Sequence, residues 1–190
     1  MPAPSSETVF ELAEPQHGYF TSAQAIHAGL TQNAVTLMAR RGVLERVSRG
    51  VYRMVRFPVS PFSQYMEAVL WPQEGVRGVL SHESALAFHG LSDVSPAKVH
   101  ITLPRAQRVR REIPAHLIVH HADLPPVDVK VLDGVPVTTA KRSILDCHAG
   151  HVGRALIRQA IHDGRANGKL LAADAAELEA MLHDGELTAV

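Results

Sequence analysis

Residues 20–54, FTSAQAIHAGLTQNAVTLMARRGVLERVSRGVYRM, constrain this chain more than any other stretch, because they carry helix starts, helix stops and a tight turn in quick succession. Thr21 with Gln24 three residues on is a capping-box pattern, which predicts a short helix from about Ser22 to Gly29, where a left-handed turn is cheap. A second helix is expected from Thr31, whose hydroxyl can accept an open backbone N–H, to Gly42. At about 100° per residue, Gln32, Asn33, Thr36 and Arg40 share one arc, while Ala34, Leu37 and Met38 lie opposite and are expected to face the core. Leu44–Val47 and Val51–Met54 are β-prone runs around Ser48-Arg49-Gly50, where glycine supplies a hairpin's positive φ. Helix, tight turn, helix and hairpin together predict a winged helix-turn-helix, whose second helix enters the major groove of DNA.

The charges of this stretch fit that role. Arg40, Arg41, Arg46, Arg49, Arg53 and Arg56 crowd together, and Glu45 is the sole acid between Pro15 and Phe57. An arginine at the wing tip with others on its flanks is suited to phosphates beside the groove. The exposed arc of the second helix supplies amides that pair bidentately with adenine, and a threonine that can bond a base or touch a thymine methyl. The predicted DNA-binding residues are therefore Gln32, Asn33, Thr36, Arg40, Arg41, Arg46, Arg49 and Arg53. The bland alternative is a solvated helix face.

The 190 residues balance 19 basic against 19 acidic side chains, so bulk attraction to nucleic acid is excluded and binding must come from a local patch. With 46% hydrophobic content the chain can bury a substantial core, in one domain or two small ones. The prolines of Phe57-Pro58-Val59-Ser60-Pro61 mark the expected boundary, giving a winged helix over 1–57 and an α+β domain over 58–190. A first helix capped by Ser5 or Ser6 runs to about Glu14 ahead of the winged-helix signals. In the second domain, helices are predicted from Phe62 to Leu70, from Ser81 to His89, from Thr139 to His148, around Leu156–Ile161, and from a cap at Asp174 with Glu177 through Leu178, Met181 and Leu182. Alternating Val99, Ile101 and Leu103 predict a half-buried strand. Leu117–His121 and Val127–Val131 predict two more, and Asp133-Gly134 a hairpin into Val135–Val137. The expected fold class is thus α+β: a winged helix followed by a small mixed domain with a mostly antiparallel sheet and C-terminal helices.

Cys147, the single cysteine, excludes an internal disulfide and a cysteine-based zinc finger. The opening MPAPSSETVF lacks the pattern of a secretion signal and no run approaches spanning length, so a cytoplasmic protein without a membrane segment is expected. From Asp163 onward six acids face Arg165 and Lys169, an acidic end suited to a basic partner.

Other constellations are weaker. Arg105, Arg108, Arg110 and Arg111 with Gln107 form a second basic run, a grip for nucleic acid or an acidic surface, or a solvated loop. Among the 12 histidines, His148 and His151 beside Cys147, or His120 with His121, offer ligand pairs, but no sequence pattern brings three or four donors together, so no metal and no cofactor are expected. Asp123, Asp128 and Lys130 faintly match the acid and lysine set of a metal-dependent nuclease; an ion pair across one strand face explains Asp128 and Lys130 more cheaply. Arg142 and Asp146, four apart, predict a helical salt bridge. Cys147 fits a small core residue. No enzyme is expected.

Taken in order, Phe20-Thr21, Arg41-Gly42-Val43-Leu44-Glu45-Arg46-Val47, Arg49-Gly50-Val51-Tyr52, Ser81-His82-Glu83-Ser84-Ala85-Leu86, His89-Gly90-Leu91 and Asp133-Gly134-Val135-Pro136-Val137-Thr138-Thr139 through Arg142 to Asp146 resemble the AbiEi-type antitoxins of type IV toxin–antitoxin systems. The resemblance implies a winged helix that binds inverted repeats in its own promoter as an autorepressor. It also implies a second domain that counters a co-encoded nucleotidyltransferase toxin, in a monomer or weak dimer. The alternative is a stand-alone winged-helix regulator whose second domain senses a ligand.

Overall fold

The computed structural model describes residues 6–72 and 75–187, with the side chains of 184–187 excepted. Ser5, one of the two expected caps, lies outside them. The chain divides into two compact units, 1–78 with 131–136, and 79–130 with 137–190.

The first unit is the winged helix and its buttress. Helix α1 (Ser6–Ala13) gives way to a 3-10 turn at Pro15, and strand β1 (Tyr19–Thr21) leads into α2 (Ser22–His27). The capping box forms in full: Gln24 N–H donates to Thr21 Oγ1 at 3.2 Å and Thr21 N–H to Gln24 Oε1 at 2.8 Å. Gly29, at φ +90, turns the chain into α3 (Gln32–Arg40), whose cap Thr31 accepts from Ala34 N–H at 3.1 Å. Strands β2 (Leu44–Ser48) and β3 (Val51–Met54) follow, with Arg49-Gly50 between them and Gly50 at φ +77. The register slips between Arg46 and Ser48, so Val47 bulges.

β1 was not legible as a strand, yet it closes the sheet in the order β1-β3-β2, pairing Phe20 with Tyr52 and Thr21 with Val51. Those opposed rings stack at 5.9 Å inside a core of Val9, Ala13, Ala25, Leu30, Val35 and Leu44. Val35 rather than Leu37 anchors α3; Leu37 is 46% exposed. The expected core face of α3 is thus rotated: the interior is met by Val35, Met38 and Ala39, the last two partly buried.

The proline-rich segment bends the chain but does not divide it. Phe57 folds back against Phe10, ring centroids 6.3 Å apart, and fills the space beside Gly18. Helix α4 (Ser63–Leu70), expected in the second domain, packs on β1 and belongs to the first unit. Arg77 ties the same unit together by donating to Gln16 Oε1 at 2.9 Å and to Met66 Sδ at 3.6 Å. The tip of the Asp133-Gly134 hairpin joins it too, with His17 Nε2 2.6 Å from the Asp133 carbonyl oxygen. Gly134, at φ +72, is required there: a Cβ would lie 2.2 Å from the Pro15 carbonyl oxygen.

The sheet of the second unit has the order β6-β5-β4-β8-β7, built from β4 (Val79–Leu80), β5 (Val99–Leu103), β6 (Leu117–His121), β7 (Val129–Leu132) and β8 (Val135–Thr138). It is mixed, not mostly antiparallel. β5 runs parallel to β6 and β4 parallel to β8, while β4 and β5 are antiparallel. Residue alternation signals a strand's faces but not its direction; the long connection 104–116 lets the chain return before β6. β5, expected to be half-buried, is buried along its whole length, including His100 and Thr102, because helix α5 (His82–His89) covers its polar face. The helices α6 (Ala140–Ala149), α7 (Arg154–Ala166) and α8 (Ala172–Leu187) form the other core, around Ile144, Cys147, Ile157, Ile161, Leu178 and Leu182. Cys147 is fully buried and its thiol is pushed up to about 12 by that burial, which suits packing and not nucleophilic chemistry.

Candidate nucleic-acid interface

Thr31 caps α3, and the first two helical residues after it, Gln32 and Asn33, are exposed. Thr36, half-buried one turn later, donates its hydroxyl proton to the Gln32 carbonyl oxygen at 2.9 Å. Leu37 adds an apolar position beside Asn33 and Arg40 that the sequence pattern had assigned to the core. Arg40 and Arg41 are exposed at the helix's end, and Arg46 and Arg49 on the hairpin. The wing turn is short and anchored: Ser22 N–H donates to the Gly50 carbonyl oxygen at 2.8 Å, which fixes Arg49 next to the head of α2.

Arg53 departs from the predicted set. Its guanidinium donates to the Phe57 carbonyl oxygen at 2.8 Å and lies 4.0 Å from the Glu45 carboxylate, with the side chain only 14% exposed. It braces the bend after the wing. Glu45, opposite it in the register, is the acid of this region, and its partner keeps it engaged.

The nuclease constellation is not assembled. Asp123 Oδ1 accepts from Arg105 N–H at 3.0 Å and so closes the basic loop. Asp128 sits in a 3-10 turn and accepts from Arg142 at 3.0 Å, not from Lys130. Arg142 also donates to Asp146 at 2.8 Å, the expected helical pair. Arg105, Arg108 and Arg110 are exposed in the loop between β5 and β6.

A polar cluster that sequence order hid lies between α5 and the sheet. Among the described residues, His82, His100 and His120 offer ring nitrogens all within 4.8 Å of one another; His121, Cys147, His148 and His151 join no such group. His82 stacks on His120 with centroids 3.5 Å apart, and His100 Nδ1 is 3.1 Å from His120 Nε2. His100 Nε2 faces Glu83 at 3.1 Å, and His82 Nδ1 faces Ser81 Oγ at 3.0 Å. Burial pulls all three imidazoles below the ordinary histidine range, His82 to about 3 and His120 to about 4, so the cluster is neutral at neutral pH.

Residues 7–55 match the family model described as a transcriptional regulator, AbiEi antitoxin, so the resemblance seen in the motifs holds over the winged helix. No curated protein matches the chain. Among solved structures, the RV2827C protein from Mycobacterium tuberculosis is similar in fold, with a TM-score of 0.54 and 16% identity over 91% of this chain and 70% of that one. No helix among the described residues is long and apolar enough to cross a membrane.

Proposed function

We propose that this chain is the antitoxin of a type IV system, a DNA-binding protein that represses its own promoter and counters a co-encoded nucleotidyltransferase toxin. The observation that carries the DNA-binding half is the exposed surface of Gln32, Asn33, Arg40, Arg41, Arg46 and Arg49, on and beside one short helix. The family match over 7–55 supports the regulatory half. In this reading Gln32, Asn33 and Thr36 contact base edges, with Leu37 placed for a thymine methyl, while Arg40, Arg41, Arg46 and Arg49 meet phosphates. Arg53 supports the wing from inside.

Arg46→Ala and Arg49→Ala are expected to weaken binding across all sequences, each reducing the slope of log K against log salt by about 1. Anisotropy titrations on DNA from upstream of the gene, at several salt concentrations, measure this. An unchanged slope in both variants refutes the wing's role. Gln32→Ala and Asn33→Ala are instead expected to relax sequence preference, each removing discrimination of about 1–3 kcal/mol against shuffled operators. Growth rescue on co-expression with the neighbouring gene tests the antitoxin half.

A second reading, a stand-alone regulator with a ligand-sensing second domain, draws on a cavity of about 650 Å³ lined by Arg158, His162, Arg165, Glu179 and His183 on α7 and α8. That volume suits a small ligand. The absence of rescue, together with DNA affinity that responds to a small molecule, favours this reading.

A further inference from the structure

We infer that His82, His100 and His120 form a binding site for a divalent transition-metal ion of the zinc class, with Glu83 orienting one ligand from outside. The three rings come from separate elements: the head of α5, the start of β5 and the end of β6. The register brings them together. β5 and β6 run parallel with His100 opposite Ile118 and Thr102 opposite His120, so His100 and His120 are diagonal neighbours on the sheet face that α5 covers.

For two of the three rings, partners outside the cluster favour the tautomer a ligand set requires. Donation of His100 Nε2–H to Glu83 leaves Nδ1 with its lone pair toward His120, the carboxylate–histidine arrangement that accompanies metal ligation. Donation of His82 Nδ1–H to Ser81 Oγ, itself fixed by the Thr102 hydroxyl at 2.8 Å, likewise leaves Nε2 free to ligate. Three imidazole nitrogens with one further position open is a set that zinc accepts. His82 also adopts φ +53, a left-handed conformation uncommon outside glycine, and its ring lies nearly parallel over His120; because an imidazole ligates in its own plane, ligation turns the His82 ring out of that stack. Arg142, whose charge reaches His82, is held by Asp128 and Asp146.

The test is a titration of the tag-free, metal-stripped full chain with Co²⁺, followed by visible absorption, and with Zn²⁺, followed by calorimetry. Wild type is expected to take up one equivalent and develop ligand-field bands of low-coordinate cobalt, and Zn²⁺ is expected to raise its thermal midpoint. His100→Ala and His120→Ala should abolish the bands, with circular dichroism confirming that they fold. Glu83→Gln should weaken binding by about 10- to 100-fold. His148→Ala with His151→Ala should change nothing. Absence of stoichiometric uptake by the wild type, or wild-type bands in both single histidine variants, overturns the site.

Discussion

Replacing Phe20 by alanine is expected to destabilise the first unit by about 3–5 kcal/mol, the cost of removing a buried aromatic ring and leaving its cavity. Phe20 is fully buried, directly opposite Tyr52 in the sheet and stacked on it at 5.9 Å, with Val9, Ala25 and Val35 from three helices in the same core. No neighbour can collapse into the gap without pulling a helix off the sheet. A domain of this size is stable by about 5–15 kcal/mol, so the loss is a large share of the total. Trp71, the single tryptophan, is buried in this unit and reports its unfolding by fluorescence in urea. The denaturation midpoint should fall steeply, and DNA binding should fail at the same urea concentration as the fluorescence change. A loss under about 1 kcal/mol would mean that the winged helix is not organised around this ring.

The same ring marks the limit of what the sequence discloses. Capping and turn chemistry are local, so Thr21 with Gln24, Thr31, and Arg49-Gly50 announced their elements correctly. β1 and β4 are too short to show a period, and both became visible only through the partners they pair with: Phe20 with Tyr52, Leu80 with Ile101. Leu37 falls on the arc that residue type alone marks as core. Val35, on the opposite side of the helix from Leu37 at about 100° per residue, has the neighbours. Arg53 looked like its fellow arginines until the register placed Glu45 opposite and the bend brought the Phe57 carbonyl within reach.

The candidate sites differ in the same way. The residues proposed to contact DNA lie within one stretch of chain, so sequence spacing brings them together. His82, His100 and His120 are far apart in sequence and converge only through a parallel pairing whose direction alternation cannot reveal. One signal was present: histidines at the polar positions of two strands, with a Ser-His-Glu-Ser helix start nearby, suggest a buried polar face once the strands are known to be neighbours.

Removing Arg142 is expected to cost about 2–4 kcal/mol at neutral pH, because one guanidinium serves two carboxylates that burial has taken partly out of water. Arg142 donates to Asp128 at 3.0 Å and Asp146 at 2.8 Å, with side-chain exposures of 23%, 28% and 12% respectively; the residual exposure of the first two keeps the figure below that of a fully buried pair. Asp146 is the costly one to strand. Its Oδ2 is buried without a hydrogen bond among the described residues, and burial raises its pKa above the ordinary 3.8, with Arg142 pulling it back down. A carboxyl whose folded pKa lies above its unfolded value favours the fold only while protonated. That contribution is complete below pH 3.8 and is lost as pH rises through the folded value. Arg142→Ala raises the folded value further, so the stability gap to wild type should widen from acid toward neutral pH. Adding Asp146→Asn to Arg142→Ala removes the stranded charge and should recover about half of the loss at neutral pH while changing little in acid. Urea unfolding followed by circular dichroism across that range measures both trends. A gap independent of pH, with no recovery in the double variant, would show that Arg142 stabilises α6 through packing of its stem and not through its charge.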